Sequence, residues 1–67
     1  MKQPTPKQIR SARNKAGLTQ TNAALLVYST LRTWQNWESE KVPDQMHPAI
    51  FQLFLLKTKQ IKLKDIT

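Results

Sequence analysis

Helix-capping residues recur at short intervals in the first part of this chain, and they constrain the fold more than any other feature. Thr5-Pro6 combines a side-chain N-cap with a proline at the first helical position, and Gln8 lies where a capping box has its second member. Gly17, the only glycine, provides a stop because it accepts the left-handed backbone conformation that ends many helices. The pattern predicts a first helix over residues 6–16.

Two further threonines predict the starts of two more short helices. Thr19 can cap a helix that runs from residue 20 to about residue 27 or 28. Thr30 can cap a helix over residues 31–39. The connection between these helices is short, so we expect them to lie against each other.

The third predicted helix has two chemically different sides. At about 100° per residue, Trp34 and Trp37 share one side, and Arg32, Gln35 and Asn36 share the other. Two tryptophans in a basic chain can also form a stacking platform for single-stranded nucleic acid. Their spacing on a short capped helix favours packing into a core, which leaves the polar side for a partner.

The last predicted helix, from residue 48 to about residue 58, is apolar nearly all round. One side can complete the core of so small a domain, and the apolar excess predicts a subunit interface. We assign to this candidate dimer interface Phe51, Leu53, Leu55 and Leu56. Residues 59–67 form a basic tail with a weak alternating strand signal, which predicts either disorder or a part in the dimer.

These elements predict an all-α fold, a compact bundle of four to five helices in one domain over residues 1–58. One glycine argues against an all-β design, and the lack of cysteine excludes disulfides. The expected core consists of residues on the inward stripes of the helices: Ile9, Ala12, Ala16, Leu18, Ala23, Ala24, Val27, Trp34, Trp37, Ile50 and Phe54.

The distribution of charge favours an anionic partner. The formal net charge is +7, and residues 1–37 contain six basic residues and no acid. Such a field suits nucleic acid or an anionic membrane surface. The basic residues are spread over several elements instead of one amphipathic helix, so we expect no membrane binding. The longest apolar run, residues 53–56, is too short to span a bilayer, and no secretory signal is visible, which predicts a cytoplasmic protein.

No group of residues in the sequence suggests catalysis or metal binding. His47 is the only histidine, and without cysteine it lacks the partners that zinc requires; a helix N-cap or a surface position suits it better. The four acids show no paired spacing on a helix, and no glycine-rich phosphate loop is present. We therefore expect no enzyme activity, no catalytic residue, no metal, no cofactor and no small-molecule substrate.

Residues 13–40, RNKAGLTQTNAALLVYSTLRTWQNWESE, resemble the helix-turn-helix of the Cro/repressor (XRE) family of phage and bacterial regulators. The motif itself covers about residues 19–39, and the flanking helices extend the resemblance over about residues 6–58. The chain departs from the family at Tyr28, where a glycine is usual. Because that position often has a positive φ, either Tyr28 tolerates the strain or the turn is rebuilt. The positions that match the family are Gly17, Leu18, Thr19, Gln20, Ala24, Val27, Thr30, Trp37 and Glu38.

The resemblance implies that the third helix enters the major groove of double-stranded DNA while the second lies across the phosphate backbone. Arg32 can donate two hydrogen bonds to guanine, although an exposed arginine can also be a solvated charge, and Leu31 can also belong to the core. The implied base-contact residues are Thr30, Leu31, Arg32, Gln35 and Asn36. The implied phosphate-contact residues are Thr19, Gln20, Thr33 and Lys41.

The resemblance also implies a structural ion pair between Arg13 and Glu38, which joins the first helix to the end of the third. The implied function is that of a sequence-specific transcriptional regulator, a repressor that binds a palindromic operator as a homodimer. One alternative is an antitoxin that binds a toxin through the fourth helix and the tail and autoregulates its operon. Another is a protein-interaction module that has the same fold without DNA binding.

Overall fold

A computed structural model of the protein describes residues 3–41 and 45–61. Over these ranges the chain forms four α-helices and no strand: α1 (Pro6–Ala16), α2 (Gln20–Leu26), α3 (Leu31–Glu38) and α4 (Pro48–Lys57). The predicted all-α fold is confirmed. The predicted α1 is matched at both ends, whereas α2, α3 and α4 each end one or two residues earlier than predicted. Most of the predicted tail, residues 62–67, lies outside the described residues.

Side-chain caps define the starts of the helices. Thr5 and Gln8 form a reciprocal capping box, in which the Gln8 backbone N–H donates to the Thr5 hydroxyl and the Thr5 N–H donates to the Gln8 side chain. The hydroxyls of Thr19 and Thr30 each accept one backbone N–H at the starts of α2 and α3, without a reciprocal bond. At the start of α4, His47 Nδ1 accepts from the Ala49 N–H. These local bonds satisfy backbone donors that have no partner inside their helices.

The core is centred on Trp34, which is fully buried between Trp37 and Phe54. The two indole rings meet edge to face with centroids 5.6 Å apart, and the Phe54 ring lies 5.1 Å from Trp34. The tryptophans therefore pack inside the protein and do not form a stacking platform. The other buried apolar residues are Ile9, Ala12, Ala23, Ala24, Val27 and Met46.

The expected core residues at the margins are less buried than predicted. Ala16, Leu18 and Ile50 are only partly buried and pack against the core from outside. Met46, which the sequence places in a loop, is fully buried. The core of a small domain is thus completed by a loop methionine as well as by helical residues.

The apolar residues of α4 are shared between the core and the surface. Phe54 is fully buried, and Phe51, Leu53 and Leu55 are half-buried against the core of their own chain. Leu56 is also half-buried. Most side chains of the predicted dimer interface thus contribute part of their surface to the core of their own chain, and the interface itself stays a prediction.

The turn between α2 and α3 keeps a left-handed residue although it lacks the usual glycine. Tyr28 has φ 59° and is 85% exposed. The Lys57 ammonium lies 4.2 Å from the centroid of the Tyr28 ring and donates hydrogen bonds to the Tyr28 hydroxyl and to the Leu26 carbonyl. A side chain of α4 thus holds the end of α2 at the turn. None of the helices that the structure describes is long and apolar enough to cross a membrane.

Candidate nucleic-acid interface

The outward side of α3 forms a polar strip opposite the tryptophans. Thr30, Arg32 and Gln35 are exposed, and Leu31 is 41% exposed. The suggestion that Leu31 belongs to the core is therefore wrong. Asn36 is half-buried at the margin of the strip. These five residues, the implied base-contact set, are called the α3 strip below.

Two threonines at the start of α3, Thr30 and Thr33, are held by hydrogen bonds to each other. The Thr30 hydroxyl accepts a hydrogen bond from the Thr33 N–H at 3.2 Å and donates one to the Thr33 hydroxyl at 3.0 Å. Because Thr33 accepts this bond, its own hydroxyl hydrogen can be donated to another acceptor. Thr30 therefore has a structural role as the N-cap of α3 in addition to any contact with a partner.

The implied phosphate-contact residues are not in one environment. Thr19 and Lys41 are exposed, and Thr33 is half-buried. Gln20 is half-buried, and its side-chain amide donates to the Glu38 carboxylate at 3.4 Å. The structure thus directs the Gln20 amide toward the interior network at the end of α3.

Glu38 is a buried carboxylate that joins three helices. Its side chain is 4% exposed. Arg13 Nε donates to one carboxylate oxygen at 2.6 Å and Arg13 Nη2 to the other at 3.2 Å, so the ion pair is bidentate. The Trp34 indole N–H also donates to this carboxylate. With the Gln20 amide, the group ties α1 and α2 to α3.

Arg10 and Arg13 attach the same site to further backbone groups. Arg10 Nη2 donates to the Glu38 carbonyl at 3.0 Å, and Arg10 Nε lies 3.6 Å from the Glu38 carboxylate. Arg13 Nη1 donates to the Leu18 carbonyl, next to the turn that follows α1. The two arginines therefore fix the end of α3 and the α1–α2 turn together.

The ionisation of this pair follows from its contacts. Burial raises the pKa of the Glu38 carboxyl, but the hydrogen bonds from Arg13 and Trp34 and the nearby positive charge outweigh it, so the pKa lies below its usual value. The hydrogen bond to Glu38 outweighs burial at Arg13 and raises the pKa of its guanidinium. Both groups are charged at neutral pH, and the buried charge is compensated.

Sequence reasoning identified Arg13 and Glu38 but missed three other partners of this carboxylate. The four-residue spacing of Trp34 and Glu38 places the indole beside the carboxylate on one helix side, and this signal was available. The contacts of Arg10 and Gln20 with Glu38 depend on how α1 and α2 pack on α3, and this packing could not be predicted from the sequence.

Comparison with known proteins gives a partial match. No protein-family model matches the chain. The chain is similar to the type II methyltransferase M.MspI of Moraxella sp., with 38% identity over 60 residues. The match covers 90% of this chain but only 13% of the methyltransferase. The chain thus spans a small fraction of that relative's length, and the similarity concerns one segment of it.

Proposed function

We propose that this chain is a sequence-specific double-stranded DNA-binding regulator of transcription, which acts as a repressor and as a homodimer on a palindromic operator. We place this activity in the cytoplasm of a bacterial or phage-infected cell. The observation that carries the proposal is the division of α3 into a buried tryptophan side and an exposed polar strip with Arg32 at its start. A helix built in this way can present side chains to base edges while its other side is held by the core.

The exposed chemistry of the α3 strip suits the major groove. Arg32 can donate two hydrogen bonds to guanine, and Gln35 and Asn36 can pair with adenine. The methyl groups of Leu31 and Thr30 suit the methyl group of thymine. The net charge of +7 adds attraction to the phosphates, which raises affinity without selecting sequence.

The rigid attachment of α3 supports this role. Base readout needs donors and acceptors placed to within hydrogen-bonding tolerance, and the Glu38 network connects α3 to both preceding helices. The exposed Thr19 and Lys41 and the half-buried Thr33 have hydroxyls and a charge that suit contacts with the DNA backbone. Two copies on a palindrome would double the base contacts, with half-sites about 34 Å apart.

The test is selection of preferred duplexes from a random DNA pool, followed by affinity measurements on the selected site. Arg32→Ala should weaken binding by about 1–3 kcal/mol and relax the preference at one base pair. Lys59→Ala is the matched control, because it removes the same charge from an exposed position in the turn after α4. If no sequence is enriched, or if Arg32→Ala leaves the preference unchanged, the α3 strip does not read DNA.

The homodimer is tested separately by sedimentation at micromolar concentration, with and without the selected duplex. The half-buried apolar residues of α4 supply the surface for it. A protein that stays monomeric while bound to the palindrome contradicts the dimer. The same surface also suits a protein partner such as a toxin, and retention of cellular function by Arg32→Ala would favour that role over DNA reading.

A second candidate function is favoured by the partial similarity to M.MspI. In this second candidate function, the chain is a DNA-targeting segment that works with a methyltransferase. It is either part of the same longer polypeptide as the methyltransferase or a separate protein. The mass of the polypeptide purified from its own cell distinguishes these forms. A short polypeptide that represses a reporter without a methyltransferase supports the regulator instead.

A further inference from the structure

The exposed side of α1 carries a basic surface that shares no residue with the α3 strip. Five polar residues line a shallow groove of about 460 Å³ and are all exposed: Lys7, Arg10, Ser11, Asn14 and Lys15. The opposite side of the same helix is buried through Ile9 and Ala12. The five lining residues are called the α1 basic face below.

Within the part of the chain that the structure describes, the charges of this face are poorly compensated. α1 contains no acidic residue. The Lys7 and Lys15 ammonium groups have no ion-pair partner among residues 3–41 and 45–61, where the ion pairs are those of Arg10 and Arg13 with Glu38. Of these two arginines, Arg13 is the closer to the carboxylate. The face therefore keeps most of its positive charge toward solvent.

Lys15 lies in the last turn of α1, where the helix dipole favours a cation, but the charges at the other end of the face oppose helix stability. Lys7 lies in the first turn of α1, where the helix dipole disfavours a cation. Lys7 and Arg10 are also like charges three residues apart, which repel each other on a helix surface. An anion bound at the face would reduce both penalties.

Arg10 is held in position although it is half exposed. Its Nη2 donates to the Glu38 carbonyl at 3.0 Å and its Nε lies 3.6 Å from the Glu38 carboxylate, yet 51% of the side chain is exposed. The end of α3 thus orients a guanidinium whose outer part faces the groove. An oriented arginine loses less conformational entropy on binding phosphate than a free one.

We propose that the α1 basic face binds the phosphodiester backbone of double-stranded DNA. This proposal rests on the DNA-binding function proposed above and adds a contact outside the α3 strip. Lys7 and Lys15 are eight residues apart, or roughly 12 Å along the helix axis, which equals the rise of about three to four nucleotides of one strand. The lysines supply charge, Arg10 supplies a fork of donors, and Ser11 and Asn14 supply neutral donors. The face adds affinity and no base preference.

The test measures how affinity for a mixed-sequence DNA duplex changes with salt concentration. Lys7→Gln and Lys15→Gln should each lower the slope of log K against log salt by about 0.9, and the double variant by about 1.8. Lys59→Gln is the matched control, since it removes the same charge from an exposed site in the turn that follows α4. The ratio of affinities for the selected and mixed-sequence duplexes should stay the same in all variants.

The outcomes separate this proposal from the function on which it rests. A wild-type chain without DNA binding overturns both. A wild-type chain that binds DNA, with slopes unchanged in the α1 variants or lowered equally by Lys59→Gln, overturns only the α1 basic face. Amide chemical shifts are a second measurement: signals of Ser11 and Asn14 should move on adding duplex to the wild type, and their constancy contradicts the proposal. Arg10 is left unchanged because it also contacts Glu38.

Discussion

Replacement of Glu38 by glutamine tests whether one buried charge holds α3 in place. The change preserves the size of the side chain and removes its negative charge. In the wild-type protein, the Glu38 carboxylate accepts hydrogen bonds from Arg13, Trp34 and Gln20. A glutamine can still accept through its oxygen, but its NH₂ group would face donors at the position of the second carboxylate oxygen.

The expected loss is a large part of the stability of the domain. The Arg13 side chain is only 17% exposed, so Glu38→Gln leaves a mostly buried cation without its counter-charge. Removal of one partner of a buried ion pair costs about 3–5 kcal/mol. Arg10 adds nothing to this estimate because half of its side chain is exposed. At about 0.05–0.15 kcal/mol per residue, a chain of 67 residues has a total free energy of unfolding of roughly 3–10 kcal/mol.

The assay is urea denaturation followed by far-ultraviolet circular dichroism and by tryptophan fluorescence. Fluorescence is informative because the Trp34 indole contacts the replaced group. Glu40→Gln is the control, since it makes the same chemical change two residues later at an exposed position. The control should change the free energy of unfolding by less than about 0.5 kcal/mol.

A loss below about 1 kcal/mol, or one equal to that of Glu40→Gln, would refute the argument that the charge compensates buried Arg13. A double variant gives an independent check. Arg13→Met combined with Glu38→Leu removes both charges, so it should be more stable than Glu38→Gln alone, because no uncompensated ion remains. If the double variant is the less stable of the two, packing around the pair matters more than its charge.

Three further predictions concern pH, the turn and the cap of α3. In the folded protein the pKa of Glu38 lies below its usual value of 4.5. The stability that the Arg13–Glu38 pair contributes is therefore fully present above pH 4.5 and is lost as the pH falls through the folded pKa. Below pH 4.5 the melting temperature of Glu38→Gln should thus fall less steeply with pH than that of the wild type. Tyr28→Gly should raise the free energy of unfolding by about 1 kcal/mol, because relief of backbone strain at φ 59° exceeds the loss of the contact with Lys57. Tyr28→Ala should lower the free energy of unfolding in the same denaturation assay, because it removes that contact and keeps the strain. Thr30→Ala should cost about 1 kcal/mol through loss of the N-cap, and Thr30→Ser should retain most of the stability because it keeps the hydroxyl.

The helix boundaries could be predicted because they depend on neighbours in sequence. Thr5, Pro6 and Gly17 define both ends of α1 through bonds made within a few residues. The inward side of α3 was also predictable, because the three-residue spacing of Trp34 and Trp37 depends only on helix geometry. Local chemistry was sufficient in these cases.

Contacts between distant residues could not be predicted in the same way. Lys57 meets Tyr28 across 29 positions of sequence, and a lysine at the end of an apolar helix gives no sign of this contact. The burial of Met46 and the sharing of the α4 side chains between core and surface depend on how the helices pack. The position of Tyr28 in the left-handed region resolves a choice that the sequence left open.

The separation of the two sides of α3 has a consequence for how the proposed DNA specificity can change. The contacts that hold the helix come from Trp34, Trp37 and Glu38, whereas Leu31, Arg32 and Gln35 are exposed. Exchange of the exposed residues therefore leaves the interior bonds intact and needs no compensating change in the core. Thr30 belongs to both sides, since its hydroxyl caps the helix, and the half-buried Asn36 lies at the margin between them. Under the proposed function, the domain is thus a constant support on which the residues of the α3 strip can be exchanged, by mutation in nature or by design.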